Sequence, residues 1–320
     1  MLTLRHDTIL PQPKSQVPSV RNLGFTSGIG NLRVAEATPG RIDTFLRAVA
    51  KKTPTLARHC RTVLSSAMSL AVRHDAIGVN PVRETGTVMR KKIEVRALTV
   101  EQLNDLRAKV DRWQQGLDKN TGQPQRITHP RANDLLDVTD ILAATGARIG
   151  EVLALRWTDI NHDDDGKATV TISGTVTWIN GQGLVRQDHP KTASGWRTIT
   201  LPPFAANLLR AYHQERQPTP DDPVFPSGSG TFRSPNNFRR AWRDAITGTG
   251  YEWVTPHTFR RTVATLLDRE RSTDDAAAQL GHSDTAVTRT HYIAKAHRAP
   301  DVSDVLQQLQ RPPVPPAMSL

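Results

Sequence analysis

The pattern of hydrophobic residues changes along the chain, and this change constrains the fold class most. Between Ala168 and Leu201, four short segments rich in β-branched residues are separated by turns: ATVTI, TVTWI, GLVRQ and WRTITL. Before and after this region, apolar residues recur at the spacing of an amphipathic helix. The sequence therefore predicts a mainly α-helical protein with a small antiparallel β-sheet inserted into an α+β domain.

The length and composition predict two globular domains. The chain has 320 residues, of which 37% are hydrophobic and 23% are charged, a balance that can bury a core. Cys60 is the only cysteine, which excludes an intramolecular disulfide framework and a Cys-rich zinc module. The sequence has neither a run of 18 apolar residues nor a hydrophobic N-terminal stretch. We therefore expect a cytoplasmic protein without a membrane span.

Two helix start signals lie in the first third of the chain. Thr38 with Pro39, and Thr53 with Pro54, each combine an N-cap with a proline at the first helical position. Apolar residues follow both signals at helical spacing. Two amphipathic helices are therefore predicted, the second ending at Gly78.

A third start signal marks the beginning of the larger domain. Thr99 and Gln102 match a capping box, and Leu98 and Leu103 occupy the positions of a hydrophobic staple. Further helices are predicted at 135–144, at 147–155 and after residue 203. The predicted regions are an irregular leader at 1–30, a helical domain at 31–80, an exposed basic linker at 81–97, a larger domain at 98–298 and a tail at 299–320.

Positive charge is concentrated in the first third of the chain. The formal net charge is +11, and residues 1–97 contain 16 basic and 6 acidic residues, whereas residues 98–320 contain 26 and 25. This distribution favours a polyanionic partner such as nucleic acid, although a solvated basic surface that aids solubility is the alternative. The candidate DNA-binding residues are Lys51, Lys52, Arg58, Arg61 and Arg73 on the helices, and Arg90, Lys91 and Lys92 in the linker.

Three motifs in the larger domain contain candidate functional residues. They are ATGARIGEVLAL with Arg148 and Glu151, TPHTFRRTVATLL with His257 and Arg260, and QLGHSDTAVTRTHY with His282 and Tyr292. Each motif alone fits an ordinary structural role, such as a surface ion pair, a residue beside a helix C-cap or a core aromatic. In the second motif, Phe259, Val263, Leu266 and Leu267 are expected to form the buried face of the helix.

The order of these motifs, with a lysine between the predicted strands, resembles the tyrosine recombinase family, in particular the phage integrase group. The resemblance spans about residues 98 to 295. The basic helical region before it is similar to the family's core-binding domain, with two predicted helices where the family has about four. Residues 1–37 show no counterpart to the arm-binding domain of many phage integrases.

The resemblance implies a role for each candidate residue. Arg148 and Arg260 would hold the phosphate, because guanidinium groups are planar and permanently charged. Tyr292 would attack phosphorus and form a phosphotyrosyl link, and Lys191 would donate a proton to the leaving oxygen.

The remaining roles implied by the resemblance are supporting ones. His257 would exchange a proton with the tyrosine or the phosphate, and His282 would bind a nonbridging oxygen. Glu151 would orient Arg148 or His257.

Two other patterns have competing interpretations. Asp163–Asp165 lack the downstream glutamate of a Ca²⁺ loop, so a turn is predicted there and no metal is expected. The stretch from Phe238 to Arg243 fits a DNA-facing helix or a core face with solvated arginines equally well.

The resemblance implies a bacterial or phage-encoded site-specific recombinase that acts on the nucleoid without a cofactor. Its expected partners are double-stranded DNA attachment sites, further copies in a homotetramer on DNA, and accessory DNA-bending or directionality proteins. A type IB topoisomerase-like activity and a catalytically silent DNA-binding relative remain as alternatives. The tail at 299–320 is expected to dock either on a neighbouring copy or on its own domain.

Overall fold

The computed structural model describes residues 28–87, 94–126, 131–132, 134–162, 167–188, 196–281, 288 and 292. The chain divides into two compact units, residues 1–93 and 94–320. Several predictions fall outside the described residues: those on Arg90, Lys91, Lys92, Asp163–Asp165, Lys191, His282 and the tail at 299–320.

Two amphipathic helices form most of the core of the first unit, and both predicted helices are confirmed. Helix α1 covers Pro39–Lys52, where Thr38 Oγ1 accepts a hydrogen bond from the Arg41 amide, and helix α2 covers Pro54–Arg73. Their buried side chains form one hydrophobic core. The core residues of the two helices are Ile42, Phe45, Leu46, Cys60, Leu64 and Met68.

The second helix ends earlier than predicted. Helix α2 stops at Arg73, and Asp75 adopts a left-handed conformation with φ of 56°, so the chain has already turned before Gly78. Asparagine and aspartate tolerate this conformation better than most residues. Aspartate thus takes the place that the sequence pattern assigned to glycine.

The beginning of the predicted linker is packed rather than exposed. Pro81–Glu84 form a 3₁₀ turn, and Val82 is completely buried in the core of the first unit. Asn80 fixes this turn, because its Nδ2 donates to the carbonyl of Ser65 at 2.9 Å and its Oδ1 accepts from the Val82 amide. The prediction of an exposed linker from residue 81 is therefore wrong for these residues.

Seven α-helices lie in the described part of the second unit. The capping box of Thr99 and Gln102 is confirmed, and it begins the first of them. The segments are α3 (Val100–Gln114), α4 (Leu135–Thr145), α5 (Ile149–Val152), α6 (Pro203–Arg216), α7 (Pro235–Ile246), α8 (Pro256–Glu270) and α9 (Thr273–Leu280).

Five strands lie among these helices, and they form two sheets rather than the one predicted. The strands are β1 (Ile160–His162), β2 (Ala168–Ile172), β3 (Thr175–Ile179), β4 (Gly183–Gln187) and β5 (Arg197–Leu201). Strand β2 pairs antiparallel with β1 on one edge and β5 on the other. Strands β3 and β4 pair with each other as a separate hairpin. The mainly α fold with small antiparallel sheets is confirmed.

Helix α5 is shorter than the predicted helix at 147–155. Arg148 has an extended backbone and precedes the helix, and Leu153 follows it. Gly150 lies against the hairpin, where an added Cβ atom would be 2.7 Å from Thr175 Oγ1. The hairpin therefore packs directly on the backbone of this short turn.

Helix α8 differs from its predicted face, whereas helix α7 matches one of the two interpretations that the sequence left open. On α8, Leu266 is 48% exposed, whereas Arg260 is completely buried, so the predicted apolar face is wrong at Leu266. On α7, Phe238 and Trp242 stack in the core. The three arginines of α7 are exposed: Arg239, Arg240 and Arg243. Helix α7 thus combines a core face with a basic outer face.

Among the helices that the structure describes, none has the length and the apolar composition of a membrane-spanning segment.

Candidate active site

Arg148 and Glu151 form a two-part contact at the start of α5. The Arg148 amide donates to Glu151 Oε2 at 3.0 Å, and Arg148 Nη1 lies 2.7 Å from Glu151 Oε1. The Arg148 side chain is 47% exposed, whereas that of Glu151 is 10% exposed. The carboxylate therefore holds the arginine from the protein side and leaves part of the guanidinium accessible to an anion.

Arg197 is a second cation on the same carboxylate, and sequence reasoning missed it. Its Nη2 lies 2.8 Å from Glu151 Oε2, and its Nε donates to the Gln279 carbonyl at 3.0 Å. A signal was present in the sequence: Arg197 shares the inward face of β5 with Ile199 and Leu201, because alternate strand residues point the same way. A charged residue on a buried strand face requires a polar partner.

Arg260 is completely buried and binds two backbone carbonyls. Its Nη1 donates to the carbonyl of Gly146 at 2.8 Å, and its Nη2 donates to the carbonyl of Leu280 at 2.6 Å. These carbonyls lie at the carboxyl ends of α4 and α9, where unpaired acceptors and the helix dipole favour cations. Arg260 therefore joins the ends of two helices at the site.

Tyr292 lies among the predicted site residues. Its ring centroid is 5.1 Å from that of His257, and the Arg260 guanidinium carbon is 5.3 Å from the tyrosine ring centroid. The Tyr292 amide donates to the Thr288 carbonyl at 3.0 Å. The structure thus brings Arg148, Glu151, His257, Arg260 and Tyr292 together from positions far apart in the sequence.

The pKa values of the Arg148–Glu151 pair reflect this arrangement. Burial raises the pKa of Glu151. The charges of Arg197 and Arg148 and their hydrogen bonds lower this pKa by a larger amount, so the net shift is downward. Burial lowers the pKa of Arg148, but the Glu151 carboxylate and a hydrogen bond with the Tyr292 side chain raise it overall. The pair is therefore ionised at neutral pH.

His257 is held neutral by its surroundings. Burial of the ring and the positive charges of Arg261, Arg260 and Arg148 lower the pKa of His257 to about 4. Burial also lowers the pKa of Arg260, with the charge of Arg148 acting in the same direction. At neutral pH the imidazole is therefore able to accept a proton, beside a group of fixed cations.

Gly146 permits the close approach on which this site depends. It ends α4 in a left-handed conformation with φ of 65°. An added Cβ atom would lie 2.8 Å from Leu280 Cδ2 and 3.1 Å from Val263 Cγ1. Glycine therefore meets a conformational and a steric requirement at the same position.

Two predicted site residues cannot be placed, because Lys191 and His282 lie outside the described residues. The chain on either side of them is described. Strand β5 begins at Arg197, a few residues after Lys191, and Gly281 ends α9 in a left-handed conformation immediately before His282. Glycine favours this left-handed conformation at the end of a helix.

The candidate DNA-binding residues of the first unit fall into two groups. Lys51, Lys52 and Arg73 are exposed, and Arg58 donates to the Thr55 hydroxyl at its own helix surface. Arg61 has a structural role instead. Its Nη2 donates to the Val82 carbonyl at 3.3 Å and its Nε to Thr85 Oγ1 at 3.3 Å.

Comparison with known proteins identifies the family of the chain. Residues 88–298 match the model of the phage integrase family. The chain is 24% identical over 287 residues to the integrase of Mycobacterium phage L5, an alignment that covers 88% of this chain and 71% of that protein. It is 27% identical over 172 residues to a XerC-like tyrosine recombinase of Caldanaerobacter subterraneus, covering 47% of this chain and 44% of that protein.

Solved structures share the fold. The Tn1549 transposon integrase in complex with circular intermediate DNA superposes with a TM-score of 0.68 at 17% identity, covering 91% of this chain and 90% of that chain. A lambda integrase tetramer bound to a Holliday junction gives a TM-score of 0.57 at 16% identity, covering 87% and 70%. The matched family and the fold define the chain as a tyrosine recombinase. It belongs to the phage integrase family.

Proposed function

We propose that this protein breaks and rejoins double-stranded DNA at specific sites through a covalent link between Tyr292 and a 3′ phosphate. The observation that carries the proposal is the position of Tyr292, which hydrogen-bonds Arg148 and lies beside His257 and Arg260. A phosphate that Tyr292 attacks would therefore meet the partly exposed guanidinium of Arg148, and the positive charge of the completely buried Arg260 would act on it from within the protein.

The proposed cleavage step exchanges one phosphorus–oxygen bond for another. The Tyr292 hydroxyl oxygen bonds to phosphorus as its proton passes to the neutral His257 imidazole, and the bond to the 5′ oxygen breaks. Lys191 is proposed to supply the proton that this leaving oxygen takes up. Rejoining reverses the step with a 5′ hydroxyl from another strand, so the bond energy is conserved and neither ATP nor a metal is required.

Contacts with the rest of the duplex are proposed for the two basic surfaces. One consists of the exposed cations of α1 and α2, and the other is the outer face of α7: Lys51, Lys52, Arg73, Arg239, Arg240 and Arg243. Such side chains neutralise backbone phosphates without reading the sequence. The neighbouring structure of a lambda integrase tetramer bound to a Holliday junction supports a homotetramer on DNA as the proposed assembly.

The test is to trap the covalent adduct. The protein is incubated with nicked duplex fragments of the genome from which it comes, and DNA that remains attached under denaturing conditions is sequenced. The wild type should yield adducts at one class of site. Tyr292→Phe should bind the same duplex with unchanged affinity and yield none, because it loses the attacking oxygen and no cation. DNA binding without an adduct on any fragment would contradict the proposal.

A further inference from the structure

The hydrogen bonds of the site, together with two short stretches of backbone, form a closed ring. Arg148 binds Glu151, Glu151 binds Arg197, and Arg197 binds the Gln279 carbonyl near the end of α9. The next carbonyl, that of Leu280, accepts a hydrogen bond from Arg260. Arg260 also donates to the carbonyl of Gly146, which lies two residues before Arg148. We call this circuit the arginine ring: Arg148, Glu151, Arg197, Gln279, Leu280, Arg260 and Gly146.

Arg197 is the member of the arginine ring that joins three elements. It lies on β5, and two of its hydrogen bonds reach Glu151 on α5 and Gln279 on α9. Its side chain is only 7% exposed, so it is shielded from direct contact with a large substrate. The side chain is thus placed to act on the reaction through its neighbours.

We propose that Arg197 is a positioning residue of the recombinase. It fixes the Glu151 carboxylate so that the second oxygen of that carboxylate faces Arg148, and it holds the end of α9 where Arg260 also binds. This inference rests on the proposed function, because it names a further residue of the same site.

The two oxygens of the Glu151 carboxylate bind different partners, which explains how Arg197 can affect the position of Arg148. Oε2 of Glu151 binds Arg197 Nη2 and the Arg148 amide, whereas Oε1 binds Arg148 Nη1. Without Arg197, the buried carboxylate would lose a charged partner and depend on Arg148 alone. We expect this change to draw the Arg148 guanidinium toward Glu151 and away from a bound phosphate. Small misplacements of this kind slow a reaction strongly.

The charged groups around Glu151 make the proposal testable by pH. Glu151 is faced by Arg148 from its own segment, by Arg197 from β5 and by Arg260 from α8. Strand β3, which packs on α5, has no charged residue. The two aspartates of α4 point elsewhere: Asp137 binds the Tyr212 hydroxyl, and Asp140 binds Arg107. Removal of Arg197 should therefore raise the pKa of Glu151.

The experiment measures adduct formation in a single turnover, with excess protein and the nicked duplex identified by trapping, from about pH 3.5 to pH 8, a range that includes the pKa of His257 near 4 and the lowered pKa of Glu151. For Arg197→Gln we expect a rate lower by about 10-fold to 100-fold, with a Kd for the duplex within about twofold of wild type. The acid limb of the rate profile should move to higher pH by about one unit. Arg197→Lys should restore the acid limb but only part of the rate, because an ammonium group cannot make both hydrogen bonds in the same geometry.

Arg233→Gln is the matched control. Arg233 lies 2.5 Å from Asp134 in an ion pair whose side chains are 12% and 11% exposed. Asp134 precedes α4, so this pair lies at the opposite end of the helix from Gly146, about 16 Å away along an 11-residue helix. The control should lose thermal stability as Arg197→Gln does and keep the wild-type rate and acid limb.

The outcomes separate the two proposals. If wild type forms no adduct, the proposed function fails whatever Arg197 does. If wild type reacts and Arg197→Gln shows the wild-type rate and acid limb, or changes no more than Arg233→Gln, the positioning role is overturned. If Arg197→Gln does not fold, Arg197→Lys tests the positioning role. A wild-type rate in Arg197→Lys would overturn the proposal. A rate reduced by about tenfold, with the acid limb at the wild-type pH, would support it.

Discussion

Arg260 and Gly146 are 114 positions apart in the sequence, and the guanidinium of Arg260 donates to the Gly146 carbonyl over 2.8 Å. The other end of the guanidinium binds Leu280, so one buried side chain fixes the ends of two helices. Arg148 follows Gly146 by two residues, and Tyr292 lies 5.3 Å from Arg260. The same contact therefore contributes to both stability and the proposed chemistry.

Arg260→Lys should lose stability and activity together. The variant keeps the charge, but an ammonium group cannot bind two separate carbonyls as a guanidinium does. We expect the free energy of unfolding to fall by about 1.5–3 kcal/mol for one lost charged hydrogen bond. Adduct formation should slow about 100-fold to 1,000-fold. Urea unfolding and single-turnover cleavage measure the two effects, and a wild-type cleavage rate would contradict the assignment.

A comparison of Gly146→Ala with Gly248→Ala should separate the stability lost to backbone strain from the stability lost to steric conflict. Both glycines have a positive φ, but an added Cβ atom at Gly248 meets nothing within 4 Å. We expect Gly248→Ala to cost about 1–2 kcal/mol for the left-handed conformation alone and to leave cleavage unchanged. Gly146→Ala should cost about 1–3 kcal/mol more, because its methyl group meets Leu280 and Val263. Equal losses in urea unfolding would refute a steric role.

His257 should make the protein sensitive to mild acid. Its pKa is about 4 in the folded protein, below the ordinary value near 6.5, so the unfolded chain binds the proton more tightly. The contribution of neutral His257 to the free energy of unfolding is present above about pH 6.5 and is lost as the pH falls toward 4. Thermal unfolding of His257→Gln should therefore depend less on pH across this window than that of wild type. Parallel pH profiles for the two proteins would contradict the pKa shift.

Arg61 and Arg73 lie on the same helix and should differ in their effects. Arg73 is exposed, so Arg73→Gln should leave the stability of the first unit unchanged. The negative slope of log K against log salt for duplex binding should become less steep by about 0.9. Arg61 holds the 3₁₀ turn at Val82, so Arg61→Gln should destabilise the first unit by about 1–3 kcal/mol and leave the salt slope unchanged. A salt slope reduced by Arg61→Gln would return that residue to the DNA-binding surface.

The amino-acid sequence by itself determined the local elements. The four predicted strand segments match β2 to β5, and the capping box at Thr99 begins α3, because alternation and capping depend on residues close together in the chain. The motif order also led to the family that the comparisons confirm. The catalytic roles of Arg148, His257, Arg260 and Tyr292 stay predictions that the experiments above test.

Only the tertiary structure decided which polar partner each charged residue meets. Leu266 is exposed on α8 although it was expected on the buried face, whereas Arg260 is buried because the carbonyls of Gly146 and Leu280 accept its hydrogen bonds inside the core. Arg197 was recognisable as an inward-facing charge, but its partner Glu151 lies on another element. Burying a charge is favourable only where acceptors from distant segments converge, and local sequence patterns do not encode that convergence.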